Sequence, residues 1–106
     1  MPKLFYFAHP YSGNCEENFR LANERTIKLL NAGYHIFSPI SHSHPLQMVQ
    51  DNSYKFWLCL DKTIMSRCDG IILAPGWKNS KGCQVERKWF ESMGLPILEY
   101  EKMDSI

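Results

Sequence analysis

The sequence predicts an α/β fold, a parallel sheet with helices on both faces, built as one domain over residues 1–106. Three observations lead to it. Four short segments are apolar almost throughout, as strands buried on both faces are, instead of alternating as strands with one wet face do. Segments of helical period separate them, and strand–helix–strand alternation is how parallel neighbours are joined. Proline, glycine and serine cluster between the segments, where regular structure has to stop.

KLFYFAH (3–9) is the first strand, ended by Pro10, Ser12 and Gly13. Asn14 offers a side-chain acceptor to the free N–H groups of a helix that runs to Ala32, with Phe19, Ala22, Leu29 and Leu30 at roughly helical spacing and Gly33 as the stop. YHIFSP (34–39) is the second strand. ISHSHPLQMVQDN (40–52) holds neither period clearly and reads as a loop with room for a short turn of helix. The helical period returns from Ser53 to Cys68, and Asp69 and Gly70 lead into the third strand, IILAP (71–75). Ser80 caps a helix to Met93 that Gly94 stops, and PILEY (96–100) is the fourth strand.

Lysine and arginine number 12 against 11 aspartates and glutamates, with no basic or acidic block. That balance speaks against nucleic-acid and membrane partners and for a small neutral or singly charged ligand. Cys15, Cys59, Cys68 and Cys83 form neither a CxxC pair nor a zinc-ribbon spacing, and the chain opens without a signal-peptide pattern. They read as reduced thiols, and the expected location is cytoplasmic. No apolar run approaches the roughly 18 residues of a membrane span.

Parallel sheets bind ligands outside the carboxyl ends of their strands, near the point where strand order reverses. The segments to search are therefore HPYSGN, SPISHSHP and PGWKNSKG. They supply His9, Tyr11 and Gly13 from the first, His42 and His44 from the second, and Trp77, Ser80 and Gly82 from the third as substrate-binding candidates. Two acids interrupt the apolar stripes of the flanking helices. Glu86 shares a stripe with Trp89, Phe90 and Met93 at i, i+3, i+4 and i+7, and Asp61 shares one with Trp57, Ile64, Met65 and Cys68. Buried carboxylates need a partner or a task, because desolvation favours the neutral form. Two of them in unlike environments are what cleavage of an N- or O-glycosidic bond requires: one stays ionised at the anomeric carbon and the other manages a proton. Tyr6, just inside the first strand's carboxyl end, is core-like yet needs a partner for its hydroxyl, and a nearby carboxylate is a good one.

The remaining polar residues admit plainer readings. Ser80 is an N-cap, and with Gly82 it also frames a helix start where an anion or a sugar hydroxyl is favoured. GWKNSKG lacks the spacing of a Walker loop. His42 and His44, with His9, Asp61 and Glu86, invite a zinc or manganese site, but HxH secures no third ligand, so no metal and no cofactor is expected. Cys83 one turn before Glu86 is a weak nucleophile candidate, small buried cysteines being inert packing as a rule. Trp77, in a loop, is the better stacking face for a nucleobase; Trp57 reads as core.

Taken together, YFAHPYSG (6–13) before a helix, Asp61 eight residues before the aspartate of CDG, Ser80-x-Gly82-x-x-x-Glu86 and GLPIL (94–98) resemble the nucleoside 2-deoxyribosyltransferase superfamily. The similarity is greatest to its small phage and bacterial members with an HSHP loop, and the superfamily includes 2′-deoxynucleoside 5′-monophosphate N-glycosidases. The resemblance implies a flavodoxin-like three-layer fold with a four-stranded parallel sheet, and a retaining mechanism on a nucleoside or nucleotide. It makes Glu86 the nucleophile at C1′ and gives Asp61 a part in proton handling at the base and in ribose binding. It makes Tyr6 the residue that orients the nucleophile and Ser80 a contact to sugar or 5′-phosphate. The loop HPYSGN has no arginine where phosphate-binding members carry one, so nucleoside and 5′-monophosphate both stay open.

Two other classes compete with an N-glycosidase or deoxyribosyltransferase: a catalytically silent nucleotide-binding module in the same cleft, and a metal-dependent hydrolase on His42, His44 and Asp61. A homodimer or homotetramer is also expected. Four strands leave sheet edges open, and Tyr54, Phe56 and Trp57 span too wide an arc of their helix to face one core.

Overall fold

The computed structural model describes residues 2–104. Strands β1 (Leu4–Ala8), β2 (His35–Phe37), β3 (Gly70–Leu73) and β4 (Ile97–Glu99) form one sheet in the order β2-β1-β3-β4, every pairing parallel. Helices α1 (Cys15–Asn31), α2 (Pro39–Val49), α3 (Tyr54–Met65) and α4 (Lys81–Ser92) cover it, and short 3-10 turns follow β3 and β4. This is the expected α/β architecture, a four-stranded parallel sheet in a flavodoxin-like three-layer arrangement. Among the described residues no helix is long and apolar enough to cross a membrane.

Alternation along β1 divides the core into two halves. Phe5 and Phe7 point to one face and pack with Leu29 of α1, Ile72 and Ala74. Tyr6 and Ala8 point to the other and pack with Met65, Cys68, Ile71, Leu73, Cys83 and Phe90. The two acid-bearing helices, α3 and α4, thus share a face with Tyr6. At the amino end of the sheet Asp69 joins the two central strands: its N–H donates to Leu4 O (2.7 Å) and its Oδ2 accepts from Leu4 N (2.8 Å). Gly70 next to it has no room for a side chain, since a Cβ there would sit 2.7 Å from Phe5 Cε1 and 2.9 Å from Pro96 O.

The stretch after β2 departs from expectation. Residues 39–49 are helix, not loop. Ser38 Oγ caps it by accepting from Ser41 N, Pro39 occupies the first turn where its missing N–H is harmless, and Ile40 and His44 turn inward one above the other. The inward face is made by a histidine and flanked by serines, so no apolar period marks it. Two stripe positions also differ: Leu30 is exposed, and Met93, the C-cap of α4, is 58% exposed.

The carboxyl ends of β1 and β3 meet where the order reverses. Gly76, at φ 87°, makes the turn after β3 and lies against Pro10, a Cβ there being 3.4 Å from Pro10 Cγ. Loops from the two central strands therefore adjoin above the acid-bearing helices.

Candidate active site

Tyr6 is the anchor. Its ring is 0% exposed, stacked 6.5 Å from Phe37 and tilted 6.1 Å from Phe90, which fixes where the hydroxyl points. That hydroxyl donates to Glu86 Oε2 at 2.5 Å. Burial, reinforced by the charges of Glu86 and Asp61, pushes the phenol well above its ordinary value, so it stays a donor.

Glu86 is partly buried on α4 and, among the described residues, has no cationic partner. Burial pushes its carboxyl up to about 8; the Tyr6 hydrogen bond opposes that rise and the charge of Asp61 adds to it. Burial pushes Asp61 up to about 6, opposed by the nearness of the Tyr6 hydroxyl, whose proton goes to Glu86, and by the charge of His42. Asp61 Oδ1 is buried and, among the described residues, has no hydrogen-bond partner. Two acids from two helices thus converge on one tyrosine, repel one another and leave one oxygen unsatisfied. Such oxygens are rare in native interiors, and an absent ligand or water is a standard reason for one.

His42 stands beside this group, exposed on α2 with its ring 5.7 Å from that of Phe37. Ser80 is at the base of α4, where Oγ accepts from Cys83 N at 3.3 Å, and Gly82 follows in the first turn, where a Cβ would lie 4.0 Å from Ser80 Oγ. Cys83 is buried, and its thiol is pushed up to about 12, burial outweighing a hydrogen bond to Ser80. A thiol that holds its proton so firmly is packing, not a nucleophile.

The other candidates are elsewhere or already engaged. His9 follows Phe7 onto the α1 face, away from the acids: its ring lies edge-on to Phe7, Nδ1–H donates to Pro10 O, and Nε2 accepts from Arg25 Nη1, both at 2.8 Å. Burial lowers its pKa, in keeping with that neutral tautomer. His44 is buried between α1 and α2, stacked 4.4 Å from Phe19; Nδ1 accepts from the Tyr11 hydroxyl at 2.5 Å and Nε2–H donates to Glu16 Oε1 at 2.9 Å. Gly13 is exposed in the turn before α1. Trp77 has its indole N–H on Glu99 Oε1 (3.4 Å) and cations over its ring, Arg87 at 5.4 Å and Lys78 at 5.8 Å. Three participants escaped sequence reasoning: Phe37, which links His42 to Tyr6, and Glu16 and Arg25, which occupy the other histidines. An acid in the first turn of a helix reads only as favourable to the dipole.

The two histidines of HSHP diverge, and among the described residues no three of His, Cys, Asp and Glu gather as a metal set. Two shallow depressions lie elsewhere, one of about 710 Å³ along α1 past Glu16, Phe19 and Arg20, one of about 570 Å³ along α3 past Phe56, Cys59 and Leu60. Neither borders the acid pair. All four cysteines are free.

The model of a family described as a domain of unknown function, DUF1937, matches residues 3–102, and the chain belongs to that family. No curated protein is similar enough to the chain to match it.

Proposed function

We propose that this protein cleaves the N-glycosidic bond of a nucleoside or nucleotide, releasing the base to water or exchanging it for another. Its nucleophile is Glu86, positioned by Tyr6, and Asp61 serves the proton side of the reaction. The carrying observation is the pair of partly buried carboxyls whose surroundings push them to about 8 and about 6, gathered at one tyrosine that bonds Glu86, with Asp61 Oδ1 unpaired among the described residues. Groups driven apart in this way divide acid and base roles, and the choice of Glu86 as the nucleophile comes from the resemblance and not from the order of the two shifts. The resemblance to the nucleoside 2-deoxyribosyltransferase superfamily supports the same roles.

Tyr6 occupies Oε2 of Glu86, which leaves Oε1 to bond to C1′. As that bond forms, the C1′–N bond breaks, its electron pair stays with the base, and the base takes up a proton. Water or a second base then attacks C1′ and releases the carboxylate. Attack requires the ionised acid, so the fraction of Glu86 ready to attack rises as pH climbs through about 8. A panel of nucleosides and 5′-monophosphates, assayed for free base with and without an acceptor base, tests this. Release by the wild type and none by Glu86→Gln is expected; no release from any member would leave a silent binding module.

The protein acts as a homodimer or homotetramer in the same proposal. Supporting this, Leu46, Met48 and Val49 of α2 and Tyr54 and Phe56 of α3 are exposed, while Trp57 turns inward to Gln47. Light scattering at micromolar concentration should give at least twice the chain mass, and a monomer mass would refute it.

A further inference from the structure

The HSHP pair divides into one histidine that is used up and one that is free, and the free one stands beside the acid that lacks a partner. His9 and His44 each have both ring nitrogens bonded to protein. His42 has only Nδ1 engaged, 3.2 Å from its neighbour Ser43 Oγ, so that among the described residues Nε2 has no partner, and the ring is exposed. The ring rests on Phe37, which stacks on Tyr6, which holds Glu86, so one contiguous row leads from His42 to the nucleophile. His42 also supplies the favourable charge felt by Asp61, the acid with an unsatisfied buried oxygen.

Resting on the reading of the site as a glycosidic one, we propose that His42 is the proton donor to the departing base, with Asp61 as the anion that offsets its charge. His42 Nε2 is exposed and without a partner among the described residues, so it is open to a ligand. In the step, Glu86 Oε1 bonds to C1′, the C1′–N electron pair moves onto the base, and the Nε2–H proton goes to that base; His42 ends neutral and recovers its proton from solvent. The groups facing this step are Tyr6 on β1, Asp61 on α3, and Cys83 and Glu86 on α4.

His42→Gln keeps a polar side chain of similar reach but cannot deliver this proton. On natural nucleosides it should lose about 100-fold in kcat, the usual scale of a general acid. On a p-nitrophenyl 2-deoxyriboside, whose leaving group needs no proton, it should stay within a few-fold of wild type, while Glu86→Gln fails on both. Equal losses on the two substrates, or no loss on either, would overturn the assignment. A wild type that cleaves neither substrate would instead sink the glycosidic reading. The charge effect on Asp61 is read independently by ¹³C titration of its carboxyl, which should move upward in His42→Gln; an unchanged titration overturns the pairing whatever the turnover.

Discussion

Two polar clusters, each built on a tyrosine and an acid, stand on either side of the sheet's carboxyl end, and they are finished to different degrees. In Tyr11–His44–Glu16 every ring nitrogen and the hydroxyl has a partner, and the acid at the end of the chain is 74% exposed, so its charge remains in water. In Tyr6–Glu86–Asp61 two partly buried acids crowd one hydroxyl that bonds only Glu86, they repel each other, and among the described residues Asp61 Oδ1 has no partner. A satisfied network rigidifies the fold, whereas a partly satisfied one is costly to keep. The first is an α1–α2 clasp and the second the candidate site.

The sharpest way to separate the clusters is to damage each and ask whether rate or stability suffers. Glu86→Gln should lower base release at least about 10³-fold, the scale seen when a nucleophile is removed. The same variant should be more stable than wild type at alkaline pH. Glu86 binds its proton more tightly folded than unfolded, its ordinary value being 4.5 and its folded value about 8. Its neutral form therefore supports the fold at low pH, and that contribution is lost as pH rises through about 8. The gain of the variant should be near zero at about pH 4 and reach roughly 2–4 kcal/mol above pH 8, each tenfold in proton affinity being worth about 1.4 kcal/mol less what partial exposure screens. Urea melts at the two pH values measure it. A variant that unfolds at both would make Glu86 structural.

His44→Ala should behave in the opposite way. It removes a ring stacked on Phe19 and strands the Tyr11 hydroxyl, so a loss of roughly 2–3 kcal/mol is expected with turnover within a few-fold of wild type. A large rate loss in a stably folded His44→Ala would join the two clusters into one site. Smaller still are the pH effects inside the acid cluster. Asp61→Asn removes a charge that raises Glu86, so the alkaline rise in rate should move to lower pH; Tyr6→Phe removes a hydrogen bond that lowers Glu86, so the rise should move to higher pH. Pre-steady-state rates across pH distinguish the two shifts, and movement in the same direction would contradict the arrangement. Tyr11→Phe, which loses one hydrogen bond of the clasp, should cost only about 1 kcal/mol.

The layers were legible because strands buried on both faces need unbroken apolar runs, and LFYFA and GIIL are such runs. Asp61 and Glu86 were legible for the same reason in reverse: a carboxylate within an apolar stripe is conspicuous, and both lie on the face that Tyr6 shares. Helix α2 was hidden because its inward residues include His44, which registers as polar until Tyr11 and Glu16 are seen to satisfy it. The side of the sheet on which His9 falls depends on strand alternation continuing one residue beyond β1, which the following proline obscures. The division between His42 and His44 was out of reach, since HSHP spaces them identically with respect to everything except the neighbours that folding brings.

The most direct measurement is a covalent trap. A 2-fluoro-2-deoxyarabinosyl nucleoside carrying a base that the protein releases should load one fluorinated sugar per chain, because the fluorine slows the second attack on C1′ more than it prevents the first. The expected result is that mass on intact protein, mapped to the peptide containing Glu86 and missing from Glu86→Gln. Base release with no adduct, or an adduct on Asp61, would contradict the assignment of Glu86 as the nucleophile.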